Sequence, residues 1–225
     1  ENQDSVTLIT RPRRFGKTLN MNMTEYFFSA KYSDMGQYFE ELAVWKNETM
    51  RSLQGTYPVI ALSFADIKAT TYEAARMGIV RKLVRLYSEF DFVRTSKVLN
   101  EKDRAYFDAI DEGMSDDATV VAINYLSDYL SRYYGKKVII LLDEYDTPLQ
   151  EAYIHGYWNT LTAFIRSLFN STFKTNPYME RGLLTGITRV SKESIFSDLN
   201  NLEVVTTTSE KYSSSFGFTE KEVFQ

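Results

Sequence analysis

The sequence contains no cysteine and only one histidine among its 225 residues. Without cysteine the chain can form no disulfide, carry out no thiol catalysis and build no cysteine-ligated zinc site. The single imidazole, His155, provides too few ligands for a multi-histidine metal site, and no G-x-S-x-G turn accompanies it. We therefore interpret His155 as an ordinary residue at the surface or at the start of a helix.

Long apolar runs are also lacking. The longest, residues 138–142, is far shorter than the roughly 20 residues that a membrane-spanning helix needs. The first residues, ENQDSV, lack the basic start and the apolar stretch of a signal peptide. The chain begins with Glu1 rather than Met, so we expect a fragment of a longer protein. From these features we expect a cytoplasmic protein with no membrane association.

Basic residues are not in excess. Lys and Arg number 26 against 30 Asp and Glu, which gives a net charge of −4. No global positive field therefore draws the chain to nucleic acid, and such a partner would need a local basic patch. The apolar share of 44% and the charged share of 25% are typical of a globular domain, and the length favours one main domain.

What the sequence does contain is a basic turn between a β-branched run and a helical pattern. Residues 6–10, VTLIT, predict a short strand, and the turn reads RPRRFGKT. This order of strand, loop and helix is typical of a P-loop nucleotide-binding site. The apolar residues of the helix recur at three- and four-residue spacing, which predicts one buried face made of Leu19, Met23, Tyr26, Phe27 and Ala30.

The loop has the residue types that phosphate binding needs. Gly16 permits close approach of backbone N–H groups to an anion, Lys17 offers an ammonium to the β- and γ-phosphates, and the Thr18 hydroxyl can ligate Mg²⁺. The usual pattern is G-x-x-x-x-G-K-[ST], and Arg11 replaces its first glycine. Whether the arginines serve phosphate or acidic neighbours stays open. The candidate nucleotide-binding residues are Arg11, Pro12, Arg13, Arg14, Phe15, Gly16, Lys17 and Thr18.

An acidic group follows the most apolar strand of the sequence. KVIILL ends in Asp143-Glu144-Tyr145-Asp146, where ligands bind in open α/β sheets. Asp143 is the candidate Mg²⁺ ligand, and Glu144 is the candidate group that polarises the attacking water. Acidic residues also follow strands merely to start the next element, but beside Gly-Lys-Thr the functional interpretation is favoured. We expect Asp146 to be a helix cap or a supporting group.

A third polar segment, residues 182–189, reads GLLTGITR. Thr185, Thr188 and Arg189 stand near the end of this predicted strand, where a side chain could reach the γ-phosphate or its water. Thr188 and Arg189 are the further catalytic candidates, since Arg189 could neutralise transition-state charge. An ordinary ion pair is an equally good interpretation of Arg189.

Strands alternate with helices along the whole chain. This pattern predicts a three-layer α/β fold with a mostly parallel sheet and helices on both faces. The stretch between Thr18 and Asp143 contains a clear further strand, so we expect another strand to separate the two motif strands. That arrangement is typical of the ATPase branch of P-loop proteins, which favours ATP. We expect the core over residues 1–212 and the start of a helical lid over 213–225, where Thr219 and Glu222 form a capping box.

Four motifs in the same order resemble the bacterial AAA-ATPase-like family: RPRRFGKT, VIILLDEYDTPL, RGLLTGITRVSKESIFSDLNN and SSFGFT. The resemblance implies the sheet order 5-1-4-3-2, a helical lid from about Phe216, and a first glycine that is commonly replaced. It also implies that Gly16, Lys17 and Thr18 bind phosphate and Mg²⁺, that Asp143 and Glu144 form the Walker B pair, and that Thr188 and Arg189 belong to a sensor-like segment. A nuclease domain often follows such a domain.

Three hypotheses follow for the function. The first is Mg²⁺-dependent ATP binding and hydrolysis that drives or gates an attached or partner domain. The second is a nucleotide-gated interaction module with little or no turnover. The third, a metal nuclease using Asp143, Glu144 and Asp146, leaves Gly16, Lys17 and Thr18 without a role.

Overall fold

The computed structural model describes residues 5–188, 195–196, 199, 201–217 and 224. Five strands in this part of the chain form one sheet, and every pair of neighbouring strands is parallel. The strands are β1 (Val6–Thr10), β2 (Val59–Ser63), β3 (Val138–Asp143), β4 (Met179–Gly186) and β5 (Leu202–Val205).

Eight α-helices connect and cover these strands within the described residues. They are α1 (Lys17–Phe28), α2 (Glu48–Arg51), α3 (Tyr72–Glu89), α4 (Asp91–Arg94), α5 (Glu101–Asp108), α6 (Asp116–Tyr134), α7 (Thr147–His155) and α8 (Trp158–Phe169). Three short 3₁₀ turns lie between α1 and α2, and a π-helical turn, Asn170–Lys174, extends α8. His155 ends α7 rather than starting a helix, so the alternative of a helix-start position is wrong.

The order of the strands across the sheet is β2-β3-β4-β1-β5. Thus β4 lies between β1, which leads into the Gly-Lys-Thr loop, and β3, which ends in the acidic group. The predicted α/β class, the extra strand between the two motif strands and the order 5-1-4-3-2 are all confirmed. Because all strands are parallel, the residues at their carboxyl ends meet at one edge of the sheet.

The two faces of the sheet are covered unequally. Ile60, Ile140 and Leu142 point to one face, where they join a large core with α3, α6 and α8. On the other face Val59 and Ile139 belong to a small cluster with Met21 of α1. The alternation of buried side chains along β2 and β3 therefore serves both faces, as expected for buried parallel strands.

The prediction for the buried face of α1 is wrong in part. Leu19 is 64% exposed, and Met23 and Tyr26 are each 41% exposed. Phe27 is buried as predicted, but the other buried residues of the helix are Met21 and the charged Lys17. Residues 17 and 21 lie on one side of a helix, so turning Lys17 into the interior also turns Met21 onto the sheet. Lys17 and Met21 therefore share the buried side of α1.

Several predictions concern the end of the chain. Residues 211–217 form turns and bends, and a helix beginning at Thr219 lies outside the described residues. The division into a core and a lid therefore stays a prediction. Among the helices of the described ranges, none is long and apolar enough to cross a membrane.

Candidate functional site

The loop between β1 and α1 ends at a helix start that has no side-chain cap. Gly16 is the residue before α1, with φ at 75°, a left-handed conformation that glycine adopts without strain. The first turn of α1 contains no acidic residue and receives no capping hydrogen bond from a side chain. The first N–H groups of α1 are therefore available to an anion, which the helix dipole also favours.

The ammonium of Lys17 is held by the loop itself. Its Nζ donates to the carbonyl oxygens of Arg11 at 3.0 Å and Pro12 at 2.9 Å, and the residue is only 5% exposed. Burial lowers the pKa of Lys17, and the nearby carboxylates of Glu144 and Asp143 oppose that shift. Because an anionic phosphate is a better partner for an ammonium than a neutral carbonyl, Lys17 is well placed to exchange these contacts for a ligand.

The carboxylate of Asp143 joins the loop to the neighbouring strand. It accepts a hydrogen bond from the Thr18 hydroxyl, with 2.6 Å between Oγ1 and Oδ2, and another from the Thr185 hydroxyl at Oδ1. Asp143 is 5% exposed and Thr185 is 1% exposed. Three elements, α1, β3 and β4, therefore meet at one carboxylate.

The donor set around Asp143 fits Mg²⁺. In the part of the chain that is described, no group of three or more His, Cys, Asp or Glu side chains is arranged to hold a metal ion. Mg²⁺ usually needs only one or two carboxylates, because waters and substrate phosphates supply its other oxygens. The adjoining oxygens of Asp143 and Thr18 match that requirement, whereas a metal held by protein side chains alone would need more ligands.

Glu144 follows Asp143 in an unusual backbone conformation. Its φ is 50°, in the left-handed region that non-glycine residues rarely occupy. One carboxylate oxygen accepts a hydrogen bond of 3.2 Å from the Thr147 hydroxyl. The next residue, Tyr145, donates its backbone N–H to the carbonyl of Thr185 at 3.0 Å. The strand therefore ends in a tight turn that redirects the chain at Glu144.

The side chain of Arg11 contacts the end of the described chain. Its guanidinium donates to the carbonyl oxygens of Thr10 at 3.0 Å, Val205 at 3.4 Å and Tyr212 at 3.4 Å, and lies 5.4 Å from the centre of the Phe216 ring. Arg11 is 4% exposed, and burial lowers its pKa. Among the described residues, the guanidinium is thus bonded to backbone carbonyls and to no acidic side chain.

We call residues 206–217 the C-terminal segment. Besides its contacts with Arg11, it lies against α1 and the loop: Asn20 donates to the Ser215 carbonyl at 3.3 Å, and the Gly217 N–H donates to the Phe15 carbonyl at 3.2 Å. A Cβ at Gly217 would come within 2.8 Å of the Phe15 ring. The segment therefore packs closely against the candidate phosphate loop.

The other predicted site residues divide into two groups. Four residues of the loop are exposed, and Thr188 is described at the end of β4, next to the acidic turn. Arg189 lies outside the described residues, so its role stays a prediction. The exposed loop residues are Pro12, Arg13, Arg14 and Phe15.

Asp146 is more deeply buried and accepts more hydrogen bonds than the sequence suggested. It is completely buried, and its Oδ2 accepts hydrogen bonds from the backbone N–H groups of Ile187 at 3.0 Å and Thr188 at 2.8 Å. The Thr188 hydroxyl and the Gln150 amide donate to the same oxygen at 2.8 and 3.0 Å. Asp146 precedes α7, but its side chain does not cap that helix. The sequence signal was only a second aspartate three residues after Asp143.

A parallel five-stranded sheet with a loop, a buried lysine and an acidic strand end at one edge defines a P-loop NTPase-like core. The chain belongs to the family described as Predicted AAA-ATPase, whose model matches residues 1–196. The resemblance noted from the four motifs is therefore confirmed, and the chain is an AAA-ATPase-like nucleotide-binding domain. The nuclease fusion seen in such proteins stays a prediction for this chain.

A curated relative extends the comparison. It is described as an uncharacterized protein in the vnfD 5′ region of Azotobacter chroococcum mcd 1, and it is 24% identical over 217 residues. The match covers 96% of this chain and 36% of the relative, so the chain spans about a third of that protein's length. No solved structure matches the chain significantly.

Proposed function

We propose that the domain binds ATP with Mg²⁺ and hydrolyses it in the cytoplasm, and that turnover drives or gates an attached or partner domain. The observation that carries this proposal is the meeting of Lys17, Thr18 and Asp143 at one edge of the sheet. A cation, a hydroxyl and a carboxylate from the loop and β3 are the groups that a nucleotide phosphate and its metal require.

Each residue has a role in this proposal. The backbone of the loop from Arg11 to Gly16 surrounds the phosphates, and Lys17 binds them once it leaves the two carbonyls. Asp143 and Thr18 hold Mg²⁺, which, when bound, neutralises charge on the phosphate oxygens. Glu144 accepts a proton from the attacking water, as a base beside the metal ligand can.

Four further side chains, those of Arg13, Arg14, Thr188 and Arg189, have supporting roles in this proposal. Arg13 and Arg14 are exposed residues of the loop, and their charges raise the positive potential at the mouth of the site. Thr188 and Arg189 act near the γ-phosphate or its water.

The test of hydrolysis is phosphate release by the full-length protein under multiple turnover. Glu144→Gln removes the base but preserves the shape of the side chain, so turnover should fall about 10²- to 10⁴-fold while ATP affinity stays close to that of the unaltered protein. Glu151→Gln is a matched control, because Glu151 lies on α7 and pairs with His155 at 3.5 Å. Normal hydrolysis by Glu144→Gln would remove this residue from the role of base.

The C-terminal segment supports a second candidate, a nucleotide-gated interaction module with little turnover. The segment bonds to Arg11, Asn20 and Phe15, all in or next to the phosphate loop. Filling the loop could therefore change what the segment contacts, without hydrolysis. ATP binding with no sustained phosphate release would favour this candidate over the first.

A metal nuclease is less well supported. Asp146 would have to bind a metal, yet it is fully buried and its Oδ2 is already bonded to four protein donors. Stimulation of ATP turnover by DNA would instead indicate that the proposed partner is a nucleic acid. DNA cleavage without ATP would revive the nuclease hypothesis.

A further inference from the structure

We propose that Asp146 is a positioning residue for the proposed hydrolysis: its buried carboxylate fastens the turn after β4 to the end of β3 and so holds Glu144 in its left-handed conformation. This inference rests on the proposed function, since it concerns the geometry of the proposed base. It gives a specific form to the supporting role considered from the sequence, in place of the helix cap and the metal ligand.

Asp146 contacts the turn after β4 through one carboxylate oxygen. Three donors of the turn after β4, namely the N–H of Ile187, the N–H of Thr188 and the Thr188 hydroxyl, all bond to Oδ2 of Asp146. Tyr145 completes the junction, because its hydroxyl donates to the Thr188 carbonyl at 2.9 Å. All the hydrogen-bonding groups of Thr188 are therefore engaged by residues 145 and 146. We call these contacts the β3–β4 latch.

The latch is closely packed around Gly186. A Cβ at Gly186 would lie 2.7 Å from Oδ1 of Asp146 and 2.7 Å from Cε1 of Tyr145, closer than real Cβ contacts. Only glycine therefore fits at the end of β4 without displacing the carboxylate. Oδ1 has no hydrogen-bond partner among the described residues, so the strength of the latch depends on Oδ2 alone.

The latch also restricts the backbone of Glu144. A left-handed non-glycine residue persists only where its surroundings determine it, and Glu144 is bracketed on both sides. Asp143 before it is bonded to Thr18 and Thr185, and the residues after it are fastened to β4 by the latch. Loosening the latch lets the backbone at Glu144 relax, and its carboxylate moves with the backbone.

The latch also decides which hydrogen bonds Thr188 can make. Oδ2 of Asp146 accepts hydrogen bonds from two backbone N–H groups, and the Thr188 hydroxyl donates to the same oxygen. While that hydrogen bond is made, the oxygen of the hydroxyl can accept a hydrogen bond from water, and its hydrogen is not available to a phosphate. Asp146 thus gives Thr188 the character of a water acceptor while it is in place.

The experiment compares Asp146→Asn and Asp146→Ala with the unaltered full-length protein in steady-state ATP hydrolysis. We expect kcat per folded molecule to fall about tenfold in Asp146→Asn and about a hundredfold in Asp146→Ala, because an error of about 1 Å in placing a reacting group has effects of this size. The KM for ATP should change less than threefold, since the phosphate loop is untouched.

A matched control separates positioning from simple loss of stability. Asn176 is also buried and donates to the Ser127 hydroxyl at 3.0 Å, but it precedes β4 and lies at the opposite end of the sheet. Asn176→Ala should destabilise the fold and leave kcat per folded molecule unchanged. Equal kcat values in both Asp146 variants and the unaltered protein would overturn the positioning role while leaving the proposed hydrolysis intact.

A second measurement tests the latch without any turnover. Hydrogen exchange at the amides of Ile187 and Thr188 should be slow in the unaltered protein and at least tenfold faster in Asp146→Ala, but not in Asn176→Ala. Rapid exchange of both amides in the unaltered protein would show that the latch does not form. Slow exchange without any ATP turnover would instead contradict the proposed hydrolysis, and with it the role of Asp146 in that reaction.

Discussion

Two buried aspartates, three residues apart, have opposite surroundings. Asp143 accepts hydrogen bonds from two hydroxyl groups, those of Thr18 and Thr185. Asp146 accepts two backbone N–H groups in addition to a hydroxyl and an amide. Hydroxyl groups can rotate to other partners, whereas a buried N–H group cannot be redirected without moving the backbone. Asp143 could therefore exchange its present partners for a metal ion, whereas the partners of Asp146 are fixed by the backbone.

The two buried cations of the loop differ in the same way. Lys17 binds carbonyls of its own loop, from which its flexible chain can move. Arg11 binds carbonyls on β1, β5 and the C-terminal segment with its planar fork and stacks on Phe216. A lysine is a mobile point charge and an arginine a rigid multiple donor. Burial and charge alone thus do not distinguish a candidate ligand-binding residue from a structural one. The distinction depends on whether the side chain can exchange its hydrogen-bond partners for a ligand.

The largest contrast is expected between substitutions of the two aspartates. Asp143→Ala should lower Mg²⁺-dependent phosphate release about a hundredfold or more, because a metal ion contributes several kcal/mol of charge stabilisation. Its free energy of unfolding should fall by only about 1 kcal/mol, since a hydroxyl can rotate towards another acceptor. Asp146→Ala removes the acceptor of two backbone N–H groups and two side-chain donors and should lower the free energy of unfolding by about 2–4 kcal/mol.

Urea unfolding of the two variants, without nucleotide, measures this contrast. The unfolding slope with urea serves as the control, because it should be the same in both variants if the unfolded states are equally exposed. A larger loss of stability in Asp143→Ala than in Asp146→Ala would show that the partners of the two carboxylates have been misinterpreted.

A smaller effect is expected when Arg11 is replaced by lysine. Arg11→Lys keeps the charge but loses the fork, so the C-terminal segment should open more often, with amide exchange over residues 206–217 faster by about five- to thirtyfold. That factor corresponds to the loss of one or two hydrogen bonds, or about 1–2 kcal/mol. Unchanged exchange over this segment would mean that the guanidinium does not hold it.

The sequence predicted the frame of the molecule well, because local patterns determine that frame. The buried run before Asp143 indicated β3. The chain predicted a strand between β1 and β3, and the family resemblance implied that this strand is β4, in agreement with the sheet order. These features depend on composition, on residue spacing and on the order of motifs along the chain, all of which can be read from the sequence.

The details that distinguish the site could not be predicted in that way. Asp146 bonds to residues more than 40 positions away, and Arg11 bonds to Tyr212 across 201 positions. The buried face of α1 was predicted only in part, because the apolar pattern includes the exposed Met23 and Tyr26 and leaves out the buried Lys17. The pattern of side-chain types along the chain does not show which distant residues form hydrogen bonds with one another.

The central claim, that Lys17 and its loop bind the phosphates of ATP, is tested most directly by calorimetric titration of Mg²⁺-ATP into the full-length protein and Lys17→Ala. Loss of a charge-assisted contact worth about 1.5–3 kcal/mol should weaken ATP binding about ten- to a hundredfold. Lys46→Ala, at an exposed 3₁₀ turn, is the control and should bind ATP like the unaltered protein. Equal ATP affinity in Lys17→Ala and the unaltered protein would contradict the account.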